Sequence, residues 1–76
     1  MKLILKEKQP MCKEISGIQS LISDAIWFEA GEEFELIDTR VMKHDGREWY
    51  KVKSKWFNNP MAGFHNPDNF KVKEDD

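Results

Sequence analysis

One feature constrains this chain more than any other: an Asp45-Gly46 pair set between two segments of alternating side chains. Asp-Gly accepts the positive φ angles of a tight turn between antiparallel strands. Before it, Glu33-Phe34-Glu35-Leu36-Ile37-Asp38 sets Phe34 and Leu36 against Glu33 and Glu35, the period of a strand with one wet face. After it, Glu48 to Trp56 alternates again. Trp49, Lys51, Lys53 and Lys55 point one way, and Tyr50, Val52, Ser54 and Trp56 point the other. Lysines are not buried without partners, so the Tyr50–Val52 face is assigned to the core and Trp49 shares the wet face with three ammonium groups.

The rest of the chain supplies further short elements. Lys2 to Lys8, with Leu3, Ile4 and Leu5, predicts a first strand that ends before Pro10. Ile15, Ile18, Ile22 and Ile26 fall at spacings of three and four, the pattern of one helix face, and Gly17 shortens that prediction to a short helix or a single turn. Asn66-Pro67-Asp68-Asn69 predicts a turn or one twist of 3₁₀ helix, and Phe70 to Lys73 a short last strand. Short strands, tight turns and hardly any helix point to a mainly β fold, a small five-stranded, partly closed barrel. With no repeat and no Gly/Ser linker, residues 1–76 form one domain, with the barrel core at about 26–73. The expected core is Phe34, Leu36, Tyr50, Val52, Phe64 and Val72. The single cysteine, Cys12, excludes an internal disulfide, so packing alone must supply a net stability of about 3–5 kcal/mol.

Three motifs in order resemble the Src-homology-3 (SH3-like) family. Ile26-Trp27-Phe28-Glu29-Ala30-Gly31-Glu32-Glu33-Phe34-Glu35-Leu36-Ile37 is similar to its diverging turn and second strand. Glu48-Trp49-Tyr50-Lys51-Val52 resembles its paired aromatics. Gly63-Phe64 with Pro67-Asp68-Asn69-Phe70-Lys71-Val72 resembles its closing Gly-aromatic and Pro-x-Asn-Tyr-Val element. Leu3-Ile4-Leu5-Lys6-Glu7 replaces the family's opening tyrosine motif, and Phe70 stands where the family has a tyrosine hydroxyl. The comparison is therefore closer to the bacterial and phage type than to polyproline-binding domains. The resemblance implies an SH3-like barrel whose enlarged first loop, Pro10 to Ala25, holds the short helix.

Catalytic chemistry finds little support in the residues. His44 and His65 have none of the spacings of a zinc site with Cys12, and no third group marks a Cys-His nucleophile. The four glycines stand apart, so no phosphate loop exists, and Glu32, Glu33 and Glu35 fit a solvated strand face. No catalytic residue, metal or cofactor is assigned. Apolar runs such as Leu3-Ile4-Leu5 are far short of the ~20 residues of a membrane helix and of the roughly 7 to 15 apolar residues of a secretory signal, so no membrane association and a cytoplasmic location are expected.

Charge and aromatics carry the functional expectation. Asp24, Glu29, Glu32, Glu33, Glu35 and Asp38 precede a basic stretch holding Arg40, Lys43, Arg47, Lys51, Lys53 and Lys55, which suits neighbouring antiparallel strands with opposite charges. The aromatics are too many for so small a core, and tryptophan concentrates in interface centres. The leading expectation is a non-catalytic binding module, a small phage or plasmid accessory protein that docks on a host enzyme or complex. Trp49 is its anchor, Pro67, Asn69 and Phe70 form one wall, Asp24 or Glu29 offers charge, and Trp56 and Phe57 supply an apolar loop. The alternative is a nucleic-acid binder with Lys51, Lys53 and Lys55 on phosphates and Trp49 stacked on a base. A monomer or a weak homo-oligomer paired through an exposed strand edge is expected.

Overall fold

The structure, a computed structural model, describes residues 1–15 and 18–73, and for residues 18–22 the backbone alone. Among these, eight strands form in the order β1 (Lys2–Leu5), β2 (Gln9–Met11), β3 (Glu14–Ile15), β4 (Ile18–Ile22), β5 (Ile26–Phe28), β6 (Glu33–Val41), β7 (Glu48–Ser54) and β8 (Phe70–Val72). A 3₁₀ turn at Pro67–Asn69 leads into β8, where the Asn66 side chain accepts the Asp68 N–H and Pro67 needs no donor.

The mainly β class stands, but the small five-stranded SH3-like barrel does not. One antiparallel sheet runs β7-β6-β1-β8, and β2-β5 and β3-β4 are separate two-stranded sheets. β7 and β8 lie at opposite ends of the large sheet with no ladder between them, so it stays open. Residues 61–65 lie beside β7, with Met61 N–H donating to the Val52 carbonyl (2.9 Å) and Tyr50 and His65 exchanging both backbone bonds. They do not extend into a strand. Pro60 has no N–H to give, and Gly63 takes φ 75°, which breaks the extended backbone.

Among the described residues the expected short helix in the first loop does not form either. Ile15, Ile18, Ile22 and Ile26 all lie in strands, with Glu14 opposite Ile22 and Ile15 opposite Ile18. β-Branched isoleucines fit a pleated surface better than a helix, and pairing partners within the loop satisfy their backbones. Gly17, which shortened that prediction, falls outside the described residues, as do Ser16 and the acidic tail 74–76. The first strand stops at Leu5, and Pro10 sits inside β2 opposite Trp27.

Leu3, Leu5, Met11, Phe28, Phe34, Val52, Met61 and Phe70 form the core. Phe34 meets Phe28 and Phe70 edge to face at 5.1 and 5.7 Å, a geometry that adds to area burial. Of the expected core residues, Phe34 and Val52 are buried, and Leu36 and Tyr50 are half-buried against the cluster. Val72 is 52% exposed, since no other described element covers the end of β8. Phe64 packs on the opposite face of β7, its ring between Arg40 at 4.6 Å and Lys51 at 5.6 Å.

Candidate functional site

The Asp45-Gly46 turn forms as expected, with Gly46 at φ 70° and Met42 N–H donating to the Arg47 carbonyl at 3.0 Å. It gathers the first of two surface clusters. Trp49 is half-buried, its Nε1–H donates to Asp45 Oδ2 at 2.8 Å, and its ring meets His44 edge to face at 5.1 Å. Arg47 reaches across to the 3₁₀ turn, holding both oxygens of Asp68 at 3.1 Å and donating to Asn66 Oδ1 at 3.1 Å. The Arg47 backbone N–H and the Trp49 indole hold the Asp45 carboxyl below the usual carboxylate range, and Arg47 does the same for Asp68. The clamp runs through Arg47 and not through Trp49, whose own contacts are with Asp45 and His44. Pro67 and Asn69 are half-buried, and Asn69 also donates to Gln9 Oε1 at 3.4 Å. Trp49 thus already uses its polar handle within its own turn. Phe70 is 4% exposed and belongs to the core, because the first residue of β8 faces inward onto Phe34 and Tyr50.

The second cluster lies on the other predicted residues and on one that the sequence reading missed. Trp27 is 62% exposed and Trp56 65% exposed. A continuous line of contacts joins them. Lys8 Nζ lies 5.7 Å from the centre of the Trp27 ring and 3.4 Å from Glu29 Oε1. Glu29 N–H donates to Glu32 Oε2 at 2.7 Å, and Trp56 Nε1–H donates to Glu32 Oε1 at 2.8 Å. Lys55 Nζ covers the Trp56 ring at 4.9 Å. Two indoles therefore flank a carboxylate-bearing turn, each ring overlain by a lysine that shields part of its face. The alternation Ile26-Trp27-Phe28, with Phe28 buried, was the available signal for Trp27. Phe57 is half-buried, 6.4 Å from Phe28 and under Lys13 at 4.7 Å, so it closes the core edge. Asp24 is exposed and stands apart from both clusters, its carbonyl accepting the Ser23 hydroxyl at 2.9 Å.

The lysine stripe is divided. Lys55 is exposed and Lys53 half-buried, but Lys51 is buried. Its ammonium pairs with the Glu14 carboxylate and donates to the Met61 carbonyl at 3.4 Å. Glu14 is placed there by its N–H bond to the Pro60 carbonyl (2.9 Å) and by Asn59, which donates to the Glu14 carbonyl. The face of β7 assigned to water is thus covered at Lys51 by the β3 segment, and the ion pair removes the objection to burying the lysine.

An open groove of about 420 Å³ runs past Met11, Cys12, Ala62 and His65. Burial pushes the His65 imidazole below the ordinary histidine range, a hydrogen bond with the Ala62 backbone opposes this, and nearby Lys51 reinforces it. Among the described residues no three of His, Cys, Asp and Glu converge to hold a metal ion, and no helix is long and apolar enough to cross a membrane. The chain matches no protein-family model, no curated protein and no solved structure.

Proposed function

We propose that this chain is a non-catalytic binding module that docks on a protein partner through the Trp27–Trp56 surface. The observation that supports this reading is the pair of exposed indoles joined through Lys8, Glu29 and Glu32. Covering a tryptophan removes a large apolar area from water, and tryptophan dominates the energetics of protein interfaces. Glu29, with its side chain 69% exposed, offers a carboxylate to a basic partner residue between the two rings. Trp49, restrained by Asp45 and His44, serves the turn more than a partner. A nucleic-acid role is the weaker reading, because Lys51 is committed to Glu14.

A photoreactive phenylalanine analogue at position 56 captures the partner in the native host. The purified partner is then titrated against the wild type and Trp27→Ala/Trp56→Ala. The double variant should bind at least ~30-fold more weakly, the loss of about 2 kcal/mol expected of hot-spot residues, while its circular dichroism stays unchanged. Undiminished affinity overturns the surface assignment. Captured nucleic acid, with affinity falling steeply between about 50 and 200 mM salt, overturns the protein-partner reading.

A further inference from the structure

β6 is longer than the strand that covers one side of it. β1 pairs with β6 only at Glu33–Glu35, and the last bond across that side is from Leu36 N–H to the Met1 carbonyl at 2.9 Å. A bulge between Leu36 and Asp38 then shifts the register of β6 against β7. Beyond it, Met42 N–H donates to the Arg47 carbonyl, so alternation turns the backbone groups of Arg40 and Asp38 toward β7 and those of Thr39 and Val41 away from it. Tyr50, opposite Thr39, agrees: its N–H donates outward to His65. The Thr39 N–H is held by its neighbour's carboxylate, Asp38 Oδ1, at 2.8 Å. Among the described residues no other strand or loop bonds to this edge, and Ile37 and Val41 along it are 48% and 61% exposed.

We propose that this edge pairs with the same edge of a second copy of the chain, antiparallel about a two-fold axis at Thr39. In that register Thr39 faces Thr39, Asp38 faces Arg40 of the second copy twice, and Ile37 faces Val41 twice. Opposite charges and apolar pairs directly across an antiparallel ladder both stabilise it, and a self-complementary edge is what a two-fold interface requires. The neighbouring two-fold registers fail this test. An axis at Asp38 sets two Asp38 carboxylates face to face, and an axis at Arg40 sets two Arg40 guanidiniums face to face. The charges therefore select one register, as a buried face would in a longer sheet. Within one copy the Asp38 carboxylate occupies the Thr39 N–H and closes the edge. On pairing it moves to the Arg40 guanidinium of the second copy, which swings to the edge from its place over the Phe64 ring, and frees that N–H for the ladder. An interface of this length belongs with weak, concentration-dependent association.

Sedimentation velocity of the full chain from about 10 µM to about 1 mM tests this, a range that brackets weak self-association. The weight-average mass should rise from one chain toward two. Arg40→Asp and Asp38→Arg should each weaken the dimer at least ~10-fold, the effect of like charges placed opposite each other. The double variant Asp38→Arg/Arg40→Asp should restore it, because the pairs re-form with exchanged signs. Circular dichroism of each variant separates lost association from lost folding. A single-chain mass at every concentration, a dimer indifferent to both single substitutions, or no rescue in a folded double variant would overturn the assignment. So would a mass that rises only when an unrelated extended peptide is added.

Discussion

The Lys51 ammonium and the Glu14 carboxylate meet inside the protein, with side chains only 10% and 4% exposed. The pair ties β3 to β7, and it closes beside the Met61 carbonyl and the Phe64 ring. Through it the long excursion between β1 and β6 is fastened to the large sheet.

Removing one partner should therefore be severe. Lys51→Met or Glu14→Gln leaves the other group buried without its counter-charge, a loss of about 3–5 kcal/mol. That equals the whole expected stability of a domain this small. Urea titration should find either single variant largely unfolded, with Lys51→Met/Glu14→Leu recovering most of the loss.

His65 predicts an acid-sensitive fold. Burial lowers its pKa below the ordinary 6.5, so the folded state keeps the imidazole neutral while the unfolded chain takes up a proton near 6.5. Its contribution is complete above about pH 6.5 and is lost as pH falls through the lowered folded-state value. His65→Phe should flatten the fall in urea midpoint between about pH 7.5 and 5.5 relative to the wild type. An equal fall in both would remove His65 from the explanation.

Gly46 should tolerate no ordinary side chain without cost. A Cβ there meets nothing within 4 Å, so the penalty of Gly46→Ala arises from its φ of 70° and not from crowding. A loss of about 1–2 kcal/mol is expected, smaller for Gly46→Asn, and thermal melts of the two variants check the order.

Phe70 and Trp49 should behave in opposite ways. Phe70→Ala opens a cavity among Phe34, Leu3 and Leu5 and should cost about 3–5 kcal/mol. Trp49→Ala removes a half-buried ring and one bond to Asp45, so a smaller loss is expected. Comparable melting temperatures for the two would contradict the placement of Phe70 in the core.

Local patterns carried the hairpin into view. Phe34 and Val52 alternate with charged neighbours, Asp45-Gly46 supplies the turn, and Asn66-Pro67-Asp68-Asn69 supplies the 3₁₀ cap, each within a few residues. The acidic and basic stretches also meet as the alternating charges suggest, with Glu35 directly opposite Lys53. The loop from Pro10 to Ala25 departs from the helix expectation because its isoleucines fit two periodicities. Pairing partners, Ile18 for Ile15 within the loop and Trp27 for Pro10 beyond it, decide for strand. Trp27 is ambiguous for a similar reason: beside buried Phe28 its apolar ring fits either face of the strand, and the fold leaves it on the exposed one.

Turn chemistry, strand period and the sign of each charge are properties of adjacent residues, and the chain determined them unaided. Whether the sheet closed, which lysine left the water, and which indoles stayed in it depended on segments far apart in sequence. Gly63 and Pro60 interrupt the strand that would have extended the sheet past β7. Glu14 arrives from 37 residues away to neutralise Lys51. Such outcomes follow from desolvation and backbone pairing summed over the whole fold, and no local window of residues contains both partners.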